Sequence, residues 1–197
     1  MKNTLAVVVL CLPLAASAQI EKGRSFLSGS FNFSESGSKN KNLNVDAKTF
    51  QLNTSVSYAY LFAHRRAVGV TPSFQLQKYN VYGDNHVRKF GVGPFVRRYF
   101  SVNEKLLFHL DAGMNAIFGQ SWIVNGGDKS PKTTGTDLNF YFAPGASYFV
   151  TEKIALVATL ERIEYASSKT KDSEWRTWNF DANFGLSSIT FGAAFYF

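Results

Sequence analysis

The sequence predicts an all-β chain folded as an eight-stranded, antiparallel, up-and-down transmembrane β-barrel. Three observations predict it. Eight runs alternate apolar and polar residues with a period of two, as a strand with unlike faces does. Short charged turns alternate with longer polar stretches, so successive runs pair as hairpins. The apolar face of each run is nearly uncharged, while the opposite face carries Gly, Ala, Ser, Asn, Gln and Thr. A water-facing wall would carry far more Lys and Glu. Small uncharged polar residues suit a crowded interior, so the apolar face is read as turned to lipid.

The chain opens with Met1-Lys2-Asn3-Thr4, an apolar run over 5–14, and the small-x-small triplet Ala16-Ser17-Ala18. This reads as a secretory signal peptide, residues 1–18, cut before Gln19. Cys11, the only cysteine, is preceded by Leu10 where a lipoprotein site needs a small residue, so it belongs to the apolar core of the leader. The mature chain then has no thiol and no disulfide framework. Residues 19–197 are enough for one domain, and loss of Lys2 takes the formal charge from +7 to +6. Past the leader no apolar run approaches 18 residues, which excludes a membrane helix but not strands of about 9–11 residues.

The first run spans about 24–34. In the second, Phe50, Leu52, Val56, Tyr58, Tyr60 and Phe62 oppose Gln51, Asn53, Ser55 and Ser57. In the third, Val68, Val70, Phe74 and Leu76 oppose Thr71, Ser73, Gln75 and Gln77. The fourth (about 87–100) and seventh (about 154–165) are similar. The fifth sets Leu106, Phe108, Leu110, Met114 and Phe118 against His109, Asp111, Gly113 and Asn115. The sixth sets Leu138, Phe140, Phe142 and Tyr148 against Asn139, Tyr141, Gly145 and Ser147. The eighth, from about Thr177, changes phase: Trp178 and Phe180 are even, while Ile189, Phe191, Phe195 and Phe197 are odd, which calls for a bulge near Ser187-Ser188. Pro72, Pro94 and Pro144 fall inside runs, and local bulges are expected there. Stretches 36–48, 82–86, 124–135 and 167–174 read as the longer loops.

A hairpin unit recurs three times, near 60–70, 99–108 and 148–156: aromatic or near-aromatic pairs, a charged turn, then an apolar alternation. Tyr60, Phe62, Tyr99, Phe100, Tyr148, Phe149, Tyr196 and Phe197 form a candidate girdle at this end. Tyr79, Tyr82, Trp122, Trp175 and Trp178 form the other.

Inside so narrow a barrel, charges must be paired. A lumen network of Arg97, His109, Asp111 and Glu161 is expected, with Arg97 placed opposite His109 by a turn centred near Asn103. Together with Phe95, Tyr99, Tyr141, Phe149 and Tyr196 it should plug the lumen. His109, Asp111 and abundant serine are also the raw material of a hydrolase, but no motif fixes a serine. His64, His86 and His109 lack metal spacing, and there is no calcium-type or Gly-rich phosphate loop, so no cofactor is expected. Lys39, Lys41, Lys48, Lys129, Lys132, Lys169, Lys171 and Arg176 put positive charge on the loops. They read as solvated, or as contacts to the phosphates of an anionic partner.

Gly192, Phe195 and Phe197 lie in a Gly-x-x-aromatic-x-aromatic ending that resembles the C-terminal insertion signal of bacterial outer-membrane barrels, although Phe191 stands where a polar residue is usual. Gly93-Pro-Phe-Val-Arg-Arg-Tyr-Phe100 is similar to a segment frequent in porin-family chains of this size. From Gln19 to Phe197 the pattern resembles the small outer-membrane β-barrel family typified by OmpX and the OmpA membrane domain. The resemblance implies an outer-membrane location, insertion by the barrel-assembly machinery, lipid and lipopolysaccharide as surroundings, and no nucleic-acid partner. It brings no catalytic motif. The expected role is structural or interactive (membrane integrity, adhesion or ligand binding through the loops), in a monomer. The alternatives are a narrow porin-type pore and a lipid-modifying enzyme.

Overall fold

The computed structural model describes residues 20–40, 45–80, 83–125, 127–160, 163–171, 174–182 and 189–197. The leader assigned to 1–18 lies outside them. The strands are β1 (Ser25–Asn40), β2 (Val45–Ala63), β3 (Arg66–Asn80), β4 (Asp84–Ser101), β5 (Leu106–Asn125), β6 (Asp128–Lys129), β7 (Thr133–Phe149), β8 (Ile154–Thr159), β9 (Ile163–Thr170), β10 (Arg176–Ala182) and β11 (Thr190–Tyr196). They form eight staves. The seventh is β8 continued by β9, the eighth is β10 continued by β11, and β6 is a short piece folded back on β5.

Antiparallel pairing runs Leu107–Ser147–Val157–Gly192–Ser30–Ser55–Ser73–Gly91–Ile117 and so returns to β5. The sheet is therefore closed. One circuit advances ten residues along β5, from Leu107 to Ile117. At ~3.3 Å per residue and ~4.8 Å between strands, that stagger tilts the staves by roughly 40°.

Outside, Leu27, Phe31, Tyr58, Val68, Val70, Phe74, Phe90, Val96, Phe108, Phe118, Phe140 and Phe142 are all exposed. The band they form runs on β4 and β5 from the pair Phe100–Phe108 to the pair Phe90–Phe118. With that tilt its height is roughly 25 Å, the height of a lipid-facing belt.

The polar stretches extend the ladders. β1 and β2 stay paired to Asn40–Val45, and β3 and β4 to Asn80–Asp84, so most of 36–48 is strand and not loop. Ser, Gly, Asn and Lys are weak strand formers, but above the membrane both faces are wet and the ladder continues without an apolar side.

The prolines also differ from expectation. At Pro72 and Pro94 the β2–β3 and β4–β5 ladders skip two pairs and resume in the same register, while the β3–β4 ladder runs through both. A proline lacks one N–H, directed to one neighbour, so one ladder loosens and no residue is inserted. A bulge does occur beside Pro144: Gly145 faces Thr159 but Phe142 faces Ile163, one extra residue on the seventh stave, with Leu160 N–H donating to the Pro144 carbonyl at 2.9 Å. The eighth stave changes phase as read, Trp178 and Phe180 being outside before the break and Phe191 and Phe195 after it. Ser187 and Ser188 are outside the described residues.

Two of the repeated turns are built alike. Val102 N–H and Asn103 N–H donate to the Leu106 carbonyl, and Val150 N–H and Thr151 N–H to that of Ile154. The Asn103 Oδ1 and Thr151 Oγ1 then accept from the backbone two and three residues on. The third copy is tighter, with Arg65 at φ 59°.

Phe142, paired with Ala112 and Ile163, sits near the middle of the band, whereas Phe108 sits at its edge. Phe142→Arg should cost about 2–4 kcal/mol in urea unfolding from vesicles, and Phe108→Arg about 1 kcal/mol or less. Equal costs would misplace the band.

Candidate functional site

The inward side chains divide the lumen into a floor and a cup. The floor is at the short-turn end. Leu61, Tyr99, Phe149 and Tyr196, one from each even-numbered stave, are fully or almost fully buried there, with Phe26 and Leu107 between them. The Tyr196 ring lies 5.1 Å from that of Phe26 and 5.0 Å from that of Phe149, and the Tyr99 and Tyr196 hydroxyls are 3.0 Å apart. The hairpin repeat positions this layer. Leu61, Tyr99, Phe149 and Tyr196 N–H groups donate in turn to the carbonyls of Arg24, Arg65, Lys105 and Lys153, residues of the neighbouring turn or entry segment. Ile20 is buried against the same cluster. Tyr99, Phe149 and Tyr196 are thus lumen residues and not part of the short-turn girdle. Tyr60, Phe62, Phe100, Tyr148 and Phe197 are on the outside. At the other end Trp122, Trp175 and Trp178 are outside or above the wall, Tyr79 takes the inward phase, and Tyr82 lies outside the described residues.

Above the floor, Arg97 and Asp111 face each other across β4 and β5 and pair through two bonds, Nε–Oδ1 at 2.6 Å and Nη2–Oδ2 at 2.7 Å. The guanidinium carbon lies 5.3–5.8 Å from the ring centres of Phe26, Phe95 and Tyr99. A planar, weakly hydrated cation held by a carboxylate fork and ring faces is the arrangement that lets a buried charge persist.

Arg97 is not opposite His109. The turn is centred one residue further on than the sequence suggests, because Asn103 caps Lys105 and Leu106, and every pair shifts by two. His109 therefore faces Tyr99, with ring centres 5.9 Å apart, and its Nδ1 is 3.2 Å from the Ser147 hydroxyl. Gly145 leaves the space its ring occupies, since a Cβ there would overlap the imidazole. Ser147 and His109 are both buried, and Asp111, which would complete a triad, is held by Arg97. This is packing and not an accessible nucleophile. Glu161 lies outside the described residues.

Towards the loops the lumen opens into a cavity of about 510 Å³. Its wall includes Ser28, Ser30, Asn32, Asn53, Ser55, Ser57, Thr71, Ser73, Gln75 and Asn115, and its base reaches Phe95, Arg97 and Asp111. Ser30–Ser55 and Ser57–Thr71 hydroxyl pairs, at 2.8 and 2.7 Å, tie neighbouring staves. Tyr141 fits against Gly113, where a Cβ would overlap its ring. Near the mouth, Lys89 pairs with Asp137 at 2.9 Å, and Asn139 Nδ2 donates to Glu164 Oε1 at 2.8 Å. Those four residues are absent from the sequence-derived network. Phase alone puts Lys89, Asp137 and Asn139 inside, whereas Glu164 turns inward only through the bulge on the seventh stave, and partnering all four needs the register. The whole lumen is thus not filled: small residues on β1, β2 and β3 leave the upper half open.

Of the basic residues, Lys129 is exposed in β6, Lys169 is the last residue but one of β9, and Lys171 follows that strand. The Lys132 Nζ lies 5.7 Å from the Trp122 ring centre. The backbone of Lys39 pairs with Asp46, and Lys41 lies outside the described residues. Gly192 packs on the Gly29 backbone, while Phe195 and Phe197 project outwards with ring centres 5.9 Å apart. Among the described residues no three His, Cys, Asp or Glu side chains gather to hold a metal.

Asp111→Ala should destabilise the barrel by about 3–5 kcal/mol, because it leaves a buried guanidinium unpaired. The double change Arg97→Met with Asp111→Leu should recover most of that in the same unfolding assay. A full loss in the double variant would mean the pair itself, and not its pairing, is needed.

Solved structures with this architecture include OprG from Pseudomonas aeruginosa, with 11% identity, 90% of this chain and 97% of that chain covered, and a TM-score of 0.53. A major outer membrane protein from Thermus thermophilus shows 12% identity, 89% and 98% coverage and a TM-score of 0.52. Neisserial surface protein A shows 17% identity, 89% and 98% coverage and a TM-score of 0.41. At such identities the likeness is one of fold. No curated protein matches the chain. The model of the outer membrane protein beta-barrel domain matches residues 4–197, almost the full length, and with the closed eight-stave barrel it shows that the chain belongs to this family of bacterial outer-membrane proteins.

Proposed function

We propose that this protein is a non-conducting barrel with a structural or interactive role at the cell surface: membrane integrity, adhesion, or ligand binding by the part that stands outside the bilayer. The observation that carries this reading is the floor. Tyr99, Phe149, Tyr196 and Leu61 meet across the lumen, and the Arg97–Asp111 pair lies directly above them. An ion would have to cross a layer of packed, buried rings that offers little to replace its hydration shell. The strands that continue past the apolar band supply a rigid, polar outer surface for contacts. The cavity above the floor supports the second reading, a narrow pore, because only one layer separates it from the other side.

Reconstitution into planar bilayers separates the two. The unmutated protein should give no steady single-channel steps. The combined change Arg97→Ala, Tyr99→Ala and Tyr196→Ala should give them, if the variant still shows a barrel circular-dichroism spectrum. Stable steps from the unmutated protein would overturn the closed-floor reading and favour the pore.

A further inference from the structure

The upper lumen has two unlike walls. On β1, β2 and β3 the inward positions form rows of hydrogen-bonding side chains. Asn32, Asn53 and Gln75 are paired in turn, and Ser30, Ser55 and Ser73 make the next row below. Lower still, the Ser57 and Thr71 hydroxyls bond each other. In a barrel of eight staves the sixth faces the second. Tyr141 and Ala143 on β7 therefore line the cavity across from these rows, and Phe95 lies at its base.

Glycines hold the two rings aside. Tyr141 crosses its β5 partner Gly113, where a Cβ would meet Cζ and Oη. Phe95 crosses its β3 partner Gly69, where a Cβ would meet Cε1. Each side chain is thereby laid along the wall and not across the lumen, and the cavity of about 510 Å³ is left beside them.

The charges on this cavity are already matched. Lys89 pairs with Asp137 and Arg97 with Asp111, and no other charged side chain lines it among the described residues. Its hydrogen-bonding capacity is not matched. Among the described residues no side-chain hydrogen bond holds the amides of Asn53, Gln75 or Asn115, all of which line the cavity. The Ser30–Ser55 and Ser57–Thr71 hydroxyl pairs also keep lone pairs to spare.

We propose that this cup is a binding site for a neutral saccharide of about one or two rings, entering from the loop side. A sugar carries neighbouring hydroxyls that both donate and accept, as the amides and serines do, and a C–H face that lies against the Tyr141 ring. A charged ligand would give up its hydration with no free counter-charge to meet. An apolar ligand would leave the amides without water or partner. The site rests on the closed-floor reading, because a closed cup retains a ligand that a pore would pass.

The test uses the mature protein refolded in nanodiscs. Binding of glucose, galactose, N-acetylglucosamine and maltose is read by saturation-transfer NMR and calorimetric titration. At least one should saturate a single site, and glucuronate and cyclohexanol, the charged and apolar counterparts, should bind at least about tenfold more weakly. Gln75→Leu and Tyr141→Ala should each weaken the best sugar by about five- to tenfold. Gln120→Leu, exposed on the outer wall, should leave it unchanged. If a lumen variant does not fold, Ser73→Cys gives a second readout: saturating sugar should slow its labelling by a small thiol reagent. A free sugar and the end of a longer glycan share this chemistry. Tighter binding of a long maltodextrin than of maltose would support the site with a chain end as its ligand, and weaker binding would support it with a free sugar. Liposome swelling in the same sugars reads the floor separately, and swelling would overturn only the closed floor. Absence of saturable binding by every sugar, equal binding of glucuronate, or equal loss in Gln120→Leu would overturn the site.

Discussion

A β-sheet in hydrocarbon must leave no edge, because an unpaired N–H or C=O there has no water to bond. In this chain the requirement falls on Ser25 and Phe197, whose backbone groups exchange two hydrogen bonds of 2.9 Å and join the last stave to the first. With eight staves, closure and a ten-residue stagger fix the tilt, and the tilt turns the run from Phe100 to Phe90 into a band the thickness of a membrane. The stagger also makes each row of side chains climb round the wall. Lys169 and Phe118 can therefore share a row and still stand at different depths.

The same closure sets what the interior holds. An eight-stave lumen has space for side chains and little else, so residue size at the inward phase decides which parts are solid. Near the short turns the inward residues are Leu61, Phe95, Tyr99, Phe149 and Tyr196, and the space is filled. Farther up they are chiefly Ser, Thr, Asn and Gly, and a cavity remains. Arg97 and Asp111 lie at the change between the two, where a charge is cut off from bulk water and must find its partner locally.

The fold was legible because lipid imposes a simple rule on sequence: apolar on every second residue and nearly uncharged over the depth of the band, with Arg98, stacked on Phe100 near its short-turn edge, an exposed exception. That rule exposed the staves, their outward faces and even the change of phase between Phe180 and Phe191. It says nothing once both faces are wet. Residues 36–40 and 45–48 therefore read as loop although they are paired strand. Partners across the lumen depend on register, and register depends on turn geometry. Asn103 capping two amides moved the β4–β5 register by two and gave Asp111, not His109, to Arg97. The basic residues were visible as a surplus on polar segments.

The claim that the lumen is a cup sealed at its short-turn end can be tested directly, since the chain past Cys11 has no cysteine of its own. Ser55→Cys places a thiol on the cavity wall, and Ser147→Cys places one at a fully buried position beside His109. A small membrane-impermeant thiol reagent is added to the loop side of the folded protein in vesicles, and the labelling rates are compared. The account predicts rapid labelling at position 55 and protection at 147 until the barrel is unfolded. Comparable rates at the two positions would show a lumen open past the floor and would contradict it.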